Sequence, residues 1–574
     1  MISRIILSVA LLTLFNNFLV AQIRIESMIS DRTIAYWTLN HLNDLKKMAS
    51  THPLLKVVYE SWFQTLIQGP IQKFDQEFYS KIQPQIGLSM EEFFSIPSGQ
   101  ISLVWHDFSY QSGMSAGPEH ISASVVLEFS PDYAKKVQEL LDKLANFIDE
   151  NVRKSGEELV TNESQIYGGK IVEFSFVQND GAPRAEKIYY GIHQNYLILG
   201  LQNKEALEMM FQALSGKTLS NSLVQSDIAK ESVSLLPKNS FTRGFVNLRR
   251  VYDIILMSVG EMAPMVEMYA PILGLHNLNS ASFALTAQEE MLETTIFVSC
   301  PGEKQGVMKF LDVKPGDLTP QNFVSNQIMS YMTCYYSLTE LYREILKKVG
   351  EIDPNTLAQL EAGLQQIKEA SQMDIEQDIL GSLGQRFSLI LYGMLNKEMP
   401  DMVVLMEVAN MEKFIRAREL LLQMIGADSL FLQEEYLGKT LWTLKPEMMP
   451  APLSPCFMTD NNLFCVSLTQ NSLKNFIRQS NEQSALITEL PAYQKLLTYQ
   501  IPHAGMLIFS NATSEEYWQG ILNASEPSQF EQFGINVSQL PDYAQIRPYL
   551  PSNLMTYRCD EHGFFIRSLY LPQK

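Results

Sequence analysis

The chain has 574 residues, 46% of them hydrophobic and 19% charged, and a formal net charge of −19. That length is too great for one hydrophobic core, so two large domains are expected, and the composition argues against extended disorder. An acidic surface repels phosphate backbones, which argues against nucleic acid as a partner, and five cysteines leave any disulfide an accessory to a packed core.

Residues 1–21 carry Arg4, an apolar stretch over 5–20 broken by Asn16-Asn17, and Ala21 at a cleavage edge. This charged-apolar-small order predicts a secretory signal peptide removed before Gln22, and hence an extracytoplasmic protein, periplasmic or secreted. A retained amino-terminal anchor is the alternative. No later stretch reaches about 18 consecutive apolar residues, so no transmembrane span is expected after signal removal.

The mature chain reads as one pattern passed through twice. Each half opens with a short strand, at 33–39 and at 331–338, followed by helical regions at 40–50 and 52–81 in the first half and 339–373 in the second. Strands at 100–108 and 122–129 answer strands at 385–394 and 402–408. Tyr133, Val137, Leu140, Leu141, Leu144 and Ile148 then mark one face of a helix, with Phe414, Ala417, Leu421, Met424 and Ile425 as its counterpart. Runs at 165–176, 187–192 and 196–201 are matched by 435–444, 456–459 and 463–468. Short helices follow at 204–214 and 472–479. Each half ends in a strand (243–248; 505–510), a helical segment and a closing hairpin (282–286 with 292–299; 554–559 with 564–571).

Local echoes support the duplication. Tyr36-Trp37-Thr38-Leu39 is answered by Tyr335-Tyr336-Ser337-Leu338, Gly99-Gln100 by Gly384-Gln385, and Ser102-Leu103 by Ser388-Leu389. Val125-Val126-Leu127-Glu128-Phe129 is answered by Val404-Leu405-Met406-Glu407-Val408, Gly169-Lys170 by Gly438-Lys439, and Asn195 by Asn462. Many links between strands are too short for a parallel crossover. The expectation is therefore an α+β fold of two tandem pseudo-repeats, each a mainly antiparallel sheet with helices packed on one face. The first repeat spans 22–301 and the second 324–574. The interval 302–323, with Pro315, Gly316 and Pro320, is expected as the linker.

Candidate chemistry is sparse. Gly113-Met114-Ser115-Ala116-Gly117 matches the G-x-S-x-G pattern of a hydrolase elbow, which needs a strand before it and a helix after it. A strand follows instead, so Ser115 reads as a turn residue. No two of the eight histidines have the i, i+4 helical spacing of a zinc site, and no phosphate-binding loop is present. No catalytic, metal-binding or cofactor-binding residue is predicted, and no cofactor. Cys456 and Cys465 are expected directly across from each other in a hairpin turning at Asp460-Asn461, where a disulfide is as feasible as two reduced thiols. Met257, Met262, Met265 and Met268 suit an irregular core first and an adaptable apolar groove second.

Gly274-Leu275-His276-Asn277-Leu278-Asn279-Ser280-Ala281-Ser282-Phe283-Ala284-Leu285, then Cys300-Pro301-Gly302-Glu303 and Gly306-Val307-Met308-Lys309-Phe310-Leu311, resemble a class of large exported bacterial proteins assigned to domains of unknown function. The resemblance implies a duplicated α+β build and an envelope setting, and it carries no site residues. The function expected is that of an exported, non-enzymatic protein, binding a protein or envelope partner or serving as a structural component. An extracytoplasmic hydrolase whose site assembles only in three dimensions is the rival.

Overall fold

The computed structural model describes residues 24–572 apart from 111–117, 395–398, 425, 450–452, 482–484 and most of 512–538. The expected signal segment and Ser115 lie outside the described residues. The protein is α+β, built of antiparallel sheet and helices. It divides into two compact units. The first takes in the described chain up to Met268 together with Leu278–Cys300; the second takes in Tyr269–Asn277 and most of the chain from Pro301.

In the first unit the elements run β1 (Ala35–Leu39), α1 (Leu42–Thr51), α2 (Ser61–Phe74), α3 (Ser80–Ile86), α4 (Met90–Ser95), β2 (Pro97–Tyr110), β3 (Pro118–Phe129) and α5 (Ala134–Lys154). They continue as β4 (Glu158–Ile166), β5 (Gly169–Val177), β6 (Pro183–His193), β7 (Tyr196–Leu201), α6 (Lys204–Leu214), α7 (Asp227–Ser234) and β8 (Thr242–Asn247). Then come α8 (Leu248–Val259), α9 (Ala263–Leu273, crossing the division between units), β9 (Ser280–Gln288) and β10 (Met291–Ser299). The strands pair antiparallel in the order β4-β5-β6-β7-β3-β2-β1-β8-β9-β10.

Helices cover both faces of this sheet, not one. Ile171 and Ile198 join Leu207, Met210 and Phe211 of α6 in one buried cluster. Their strand neighbours Val172 and Leu197 join Val137, Leu140 and Leu141 of α5 in another. Adjacent strand residues point to opposite faces, so the apolar pairs Ile171-Val172 in β5 and Leu197-Ile198 in β7 need a helix on each side. The side chain of Asn203 accepts a hydrogen bond from the Ala206 N–H (2.9 Å) and caps α6. The Phe211 ring lies over Gly169 and Gly191, where a Cβ would come within 2.6 and 2.5 Å of ring carbons.

In the second unit the elements are β11 (Ser330–Tyr335), α10 (Leu338–Ile352), α11 (Pro354–Ser371), β12 (Leu383–Met394), β13 (Pro400–Val408), α12 (Met411–Met424), β14 (Phe431–Tyr436) and β15 (Lys439–Leu444). They end with β16 (Cys456–Asp460), β17 (Leu463–Ser467), α13 (Gln470–Asn481), α14 (Pro491–Leu497), β18 (Met506–Asn511), β19 (Pro551–Asp560) and β20 (Gly563–Pro572). Their order, β14-β15-β16-β17-β13-β12-β11-β18-β19-β20, repeats that of the first unit strand for strand. Residues 302–323 belong to this unit; Gly306–Leu311 forms a 3-10 helix, and Val313 and Leu318 are buried.

Side-chain bonds recur with the topology. Thr38 lies 2.8 Å from the Ser102 hydroxyl, and Thr333 lies 3.1 Å from that of Ser388. The Phe129 N–H donates to the Asn195 carbonyl, and the Val408 N–H to that of Asn462. Gly99 and Gly384 leave room for Glu128 and Glu407 on the neighbouring strand, where a Cβ would come within 2.2 and 2.8 Å of them. That explains why Gly-Gln and the later glutamate are kept together in both halves.

Three readings of the sequence are corrected. The ladder equates Tyr36 with Tyr331, not with Tyr335, because Thr38 faces Ser102 as Thr333 faces Ser388. The runs 165–176 and 435–444 are each hairpins, turning at Tyr167-Gly168 and Leu437-Gly438 with positive φ at all four residues. Cys456 faces Ser467 while Cys465 faces Met458, because the hairpin turns at Asn461-Asn462 and Asn461 takes the left-handed conformation. The two cysteines are diagonal neighbours, about 7–8 Å apart in such a ladder and beyond the reach of a disulfide.

Candidate functional site

The segment that joins β8 to β9 carries a run of exposed large hydrophobic side chains. Asn247, the last residue of β8, caps α8 by accepting from the Arg250 N–H (3.1 Å). The Arg250 guanidinium reaches back 2.8 Å to Asp107 on β2. These two contacts fix where α8 starts. Gly260, with φ of 53°, breaks the helix, and Pro264 sits in the opening turn of α9, where its missing N–H costs nothing.

Little beyond these anchors is buried. In α8 no residue is, and in α9 only Ala270. Met257, Met262, Met265 and Met268 are 49%, 55%, 46% and 59% exposed, and Ile255 is exposed beside them. The four methionines named from the sequence therefore stand on the surface, and the core reading of them is corrected. The segment is apolar because of what it leaves uncovered. Large apolar side chains grouped on the surface of a folded protein need a physical reason, and an interaction site is one such reason. Methionine adds adaptability, since its unbranched polarisable side chain repacks against varied shapes.

Ile255 and the acidic residues of this segment escaped sequence reasoning, although a signal was there. Residues 251–303 hold no lysine or arginine. Asp253, Glu261 and Glu267 are exposed among the methionines.

The hydrolase alternative finds one contact of interest. His106 Nε2 lies 2.9 Å from the Ser124 hydroxyl. Both residues are buried, so no substrate carbonyl reaches the serine, and the neighbouring Asp107 is turned to Arg250. Burial lowers the His106 pKa to about 4, with Asp107 pulling weakly the other way. A histidine neutral in the fold but protonated near pH 6.5 in the unfolded chain adds stability above pH 6.5 and loses it as pH falls toward 4. The first unit is expected to lose about 3 kcal/mol across that window. Urea titrations at pH 7, 5.5 and 4 check it; His106→Gln should flatten the dependence, and an unchanged slope would contradict the assignment.

Tyr110 pairs with Pro118, so the strands on either side of residues 111–117 form a hairpin, and the element that begins at Pro118 is a strand. Among the described residues no group of three or more His, Cys, Asp or Glu could hold a metal ion. The Cys456 thiol donates to the Thr469 carbonyl (3.3 Å), and burial pushes its pKa up to about 12; the Cys465 thiol is pushed up as well. Such thiols are poor nucleophiles. No described helix is long and apolar enough to cross a membrane.

No family model matches the chain, and no curated protein matches it. Two solved structures do, those of crystal forms III and I of TP0453, each 9% identical over 51% of this chain. They are covered over 86% and 84% of their lengths, with TM-scores of 0.23 and 0.21. Likeness at that level carries no argument about site or function.

Proposed function

We propose that this is an exported, non-enzymatic binding protein whose contact surface is the apolar helical segment over residues 248–268. The observation that carries the reading is the exposure of Ile255 and four methionines on consecutive helices that bury almost nothing. Export is supported by the charged-apolar-small order of residues 1–21. In the resemblance noted above, the family setting is likewise the cell envelope. The sheet serves as the rigid scaffold, and the helical excursion presents adaptable side chains from it.

The test uses Nile red, an uncharged dye whose emission shifts to the blue in apolar surroundings. The mature protein is expected to bind it, and the variant Met262→Ser/Met265→Ser/Met268→Ser to lose most of the signal. Substitutions at exposed positions change stability by about 0.5 kcal/mol or less each, so circular dichroism and Tm should hold. Equal dye binding by both proteins would remove this segment as the contact surface.

A further inference from the structure

We infer that the partner of this surface is a cationic amphipathic segment, a helix that sets leucine-like side chains beside lysine or arginine. The inference rests on the reading of residues 248–268 as a contact surface. Its own observation is the charge around the methionines. Asp253 on α8, Glu261 in the turn and Glu267 on α9 are exposed, and among the described residues none of them is in an ion pair. Arg249 and Arg250 open α8, Arg250 being paired with Asp107, and from there to residue 303 the chain supplies no lysine or arginine. Met257, Met262, Met265 and Met268 thus share their segment with three exposed acids.

Each occupant meets those acids differently. Helices that lie on membranes carry Lys and Arg on their polar face, to meet anionic headgroups. Here the charged positions beyond Arg250 bear carboxylates, which anionic lipid repels. A second copy of the chain would bring three acids against three acids, and like charges across an interface oppose assembly. A basic amphipathic helix satisfies both parts at once. Its apolar face covers the methionines, and its cations meet the carboxylates. α8 has 12 residues, so about three turns of a partner helix, roughly 18 Å, match its length. The net charge of −19 draws such a partner in from a distance.

The experiment is fluorescence anisotropy with the full mature protein and labelled peptides of one amphipathic helical pattern, Leu/Lys, Leu/Gln and Leu/Glu. Binding is expected in the order Lys, then Gln, then Glu, and to weaken with salt. Asp253→Asn/Glu261→Gln/Glu267→Gln is expected to weaken Leu/Lys binding by about tenfold at low salt, while keeping its Nile red signal. The triple methionine variant should lose both. Leu/Gln bound as tightly as Leu/Lys, or a charge variant that binds Leu/Lys unchanged, overturns the cationic partner and leaves the apolar surface standing. Loss of neither signal in the methionine variant overturns the surface itself. Phosphatidylcholine or phosphatidylglycerol vesicles that displace the peptide, or a dimer that the methionine variant dissolves, overturn the inference in favour of lipid or of a second copy.

Discussion

Replacing Arg243 by methionine is expected to cost the first unit about 3–5 kcal/mol of stability. Arg243 on β8 and Glu26 are 3% and 2% exposed, and a guanidinium nitrogen lies 3.5 Å from the carboxylate. The guanidinium also donates to the Ser240 hydroxyl and to the Pro237 carbonyl. The Tyr36 hydroxyl donates to the same Glu26 oxygen at 2.7 Å, and burial together with that carboxylate holds its pKa well above the usual tyrosine range. Removing the cation strands a buried anion beside a phenol, with the charge of Arg24 the remaining positive influence on that phenol. The pair as a whole is worth far less than this single loss implies, because burying both ions already carries a desolvation cost. The double variant Glu26→Leu/Arg243→Met should therefore recover most of the stability. Chemical denaturation of the two singles and the double separates these terms. A single variant within about 1 kcal/mol of wild type would show that water reaches the pair.

Phe211→Ala is expected to cost about 3–5 kcal/mol, and to do so through the sheet rather than the helix. The ring is fully buried and covers two glycines on adjacent strands, with His193 beside it at 5.4 Å between ring centres. Truncation leaves a void that Gly169 and Gly191 have no side chains to fill. Enlarging either glycine in the Phe211→Ala background, as in Gly191→Ala, should return part of the loss. In the wild-type background the same Gly191→Ala should destabilise, since its Cβ would come within 2.5 Å of the ring. Thermal melts of the four combinations test this change of sign. Gly191→Ala harming both backgrounds equally would mean that the ring and the glycine do not share one space.

Fold class was legible because strands at fixed intervals alternate apolar and polar residues, and turn glycines punctuate them in both halves. Register was not. Tyrosines stand at Tyr331, Tyr335 and Tyr336, so any of them offers a local match to Tyr36, and only the partner across the ladder decides. The polar edge strands β4 and β14 escaped for a related reason: with one side unpaired and much of each strand solvated, they need no apolar alternation. In the β16–β17 hairpin, the placing of the cysteines hung on which residue took the left-handed conformation, and Asn461 rather than Asp460 did. The methionine segment misled in the opposite direction. Ile, Met, Val and Pro with few charges is what a buried helix also looks like, and sequence does not tell which apolar faces find a cover. The missing cations over residues 251–303 were the available sign.

Asn247 and Ser280 sit opposite each other as the final rung of β8 and the first of β9, and Asn511 and Ser552 hold the same place between β18 and β19. Everything strung between each pair hangs from a clasp that the sheet has already closed. Chain length in such an excursion is nearly free, since closing a loop whose ends are fixed grows in cost only with the logarithm of its length. The two excursions can thus be rewritten, lengthened or exchanged without a change in strand order. With this wiring one unit can keep its frame while the connection in the other changes, so diversity in this architecture should gather at those two clasps and spare the ladders between them.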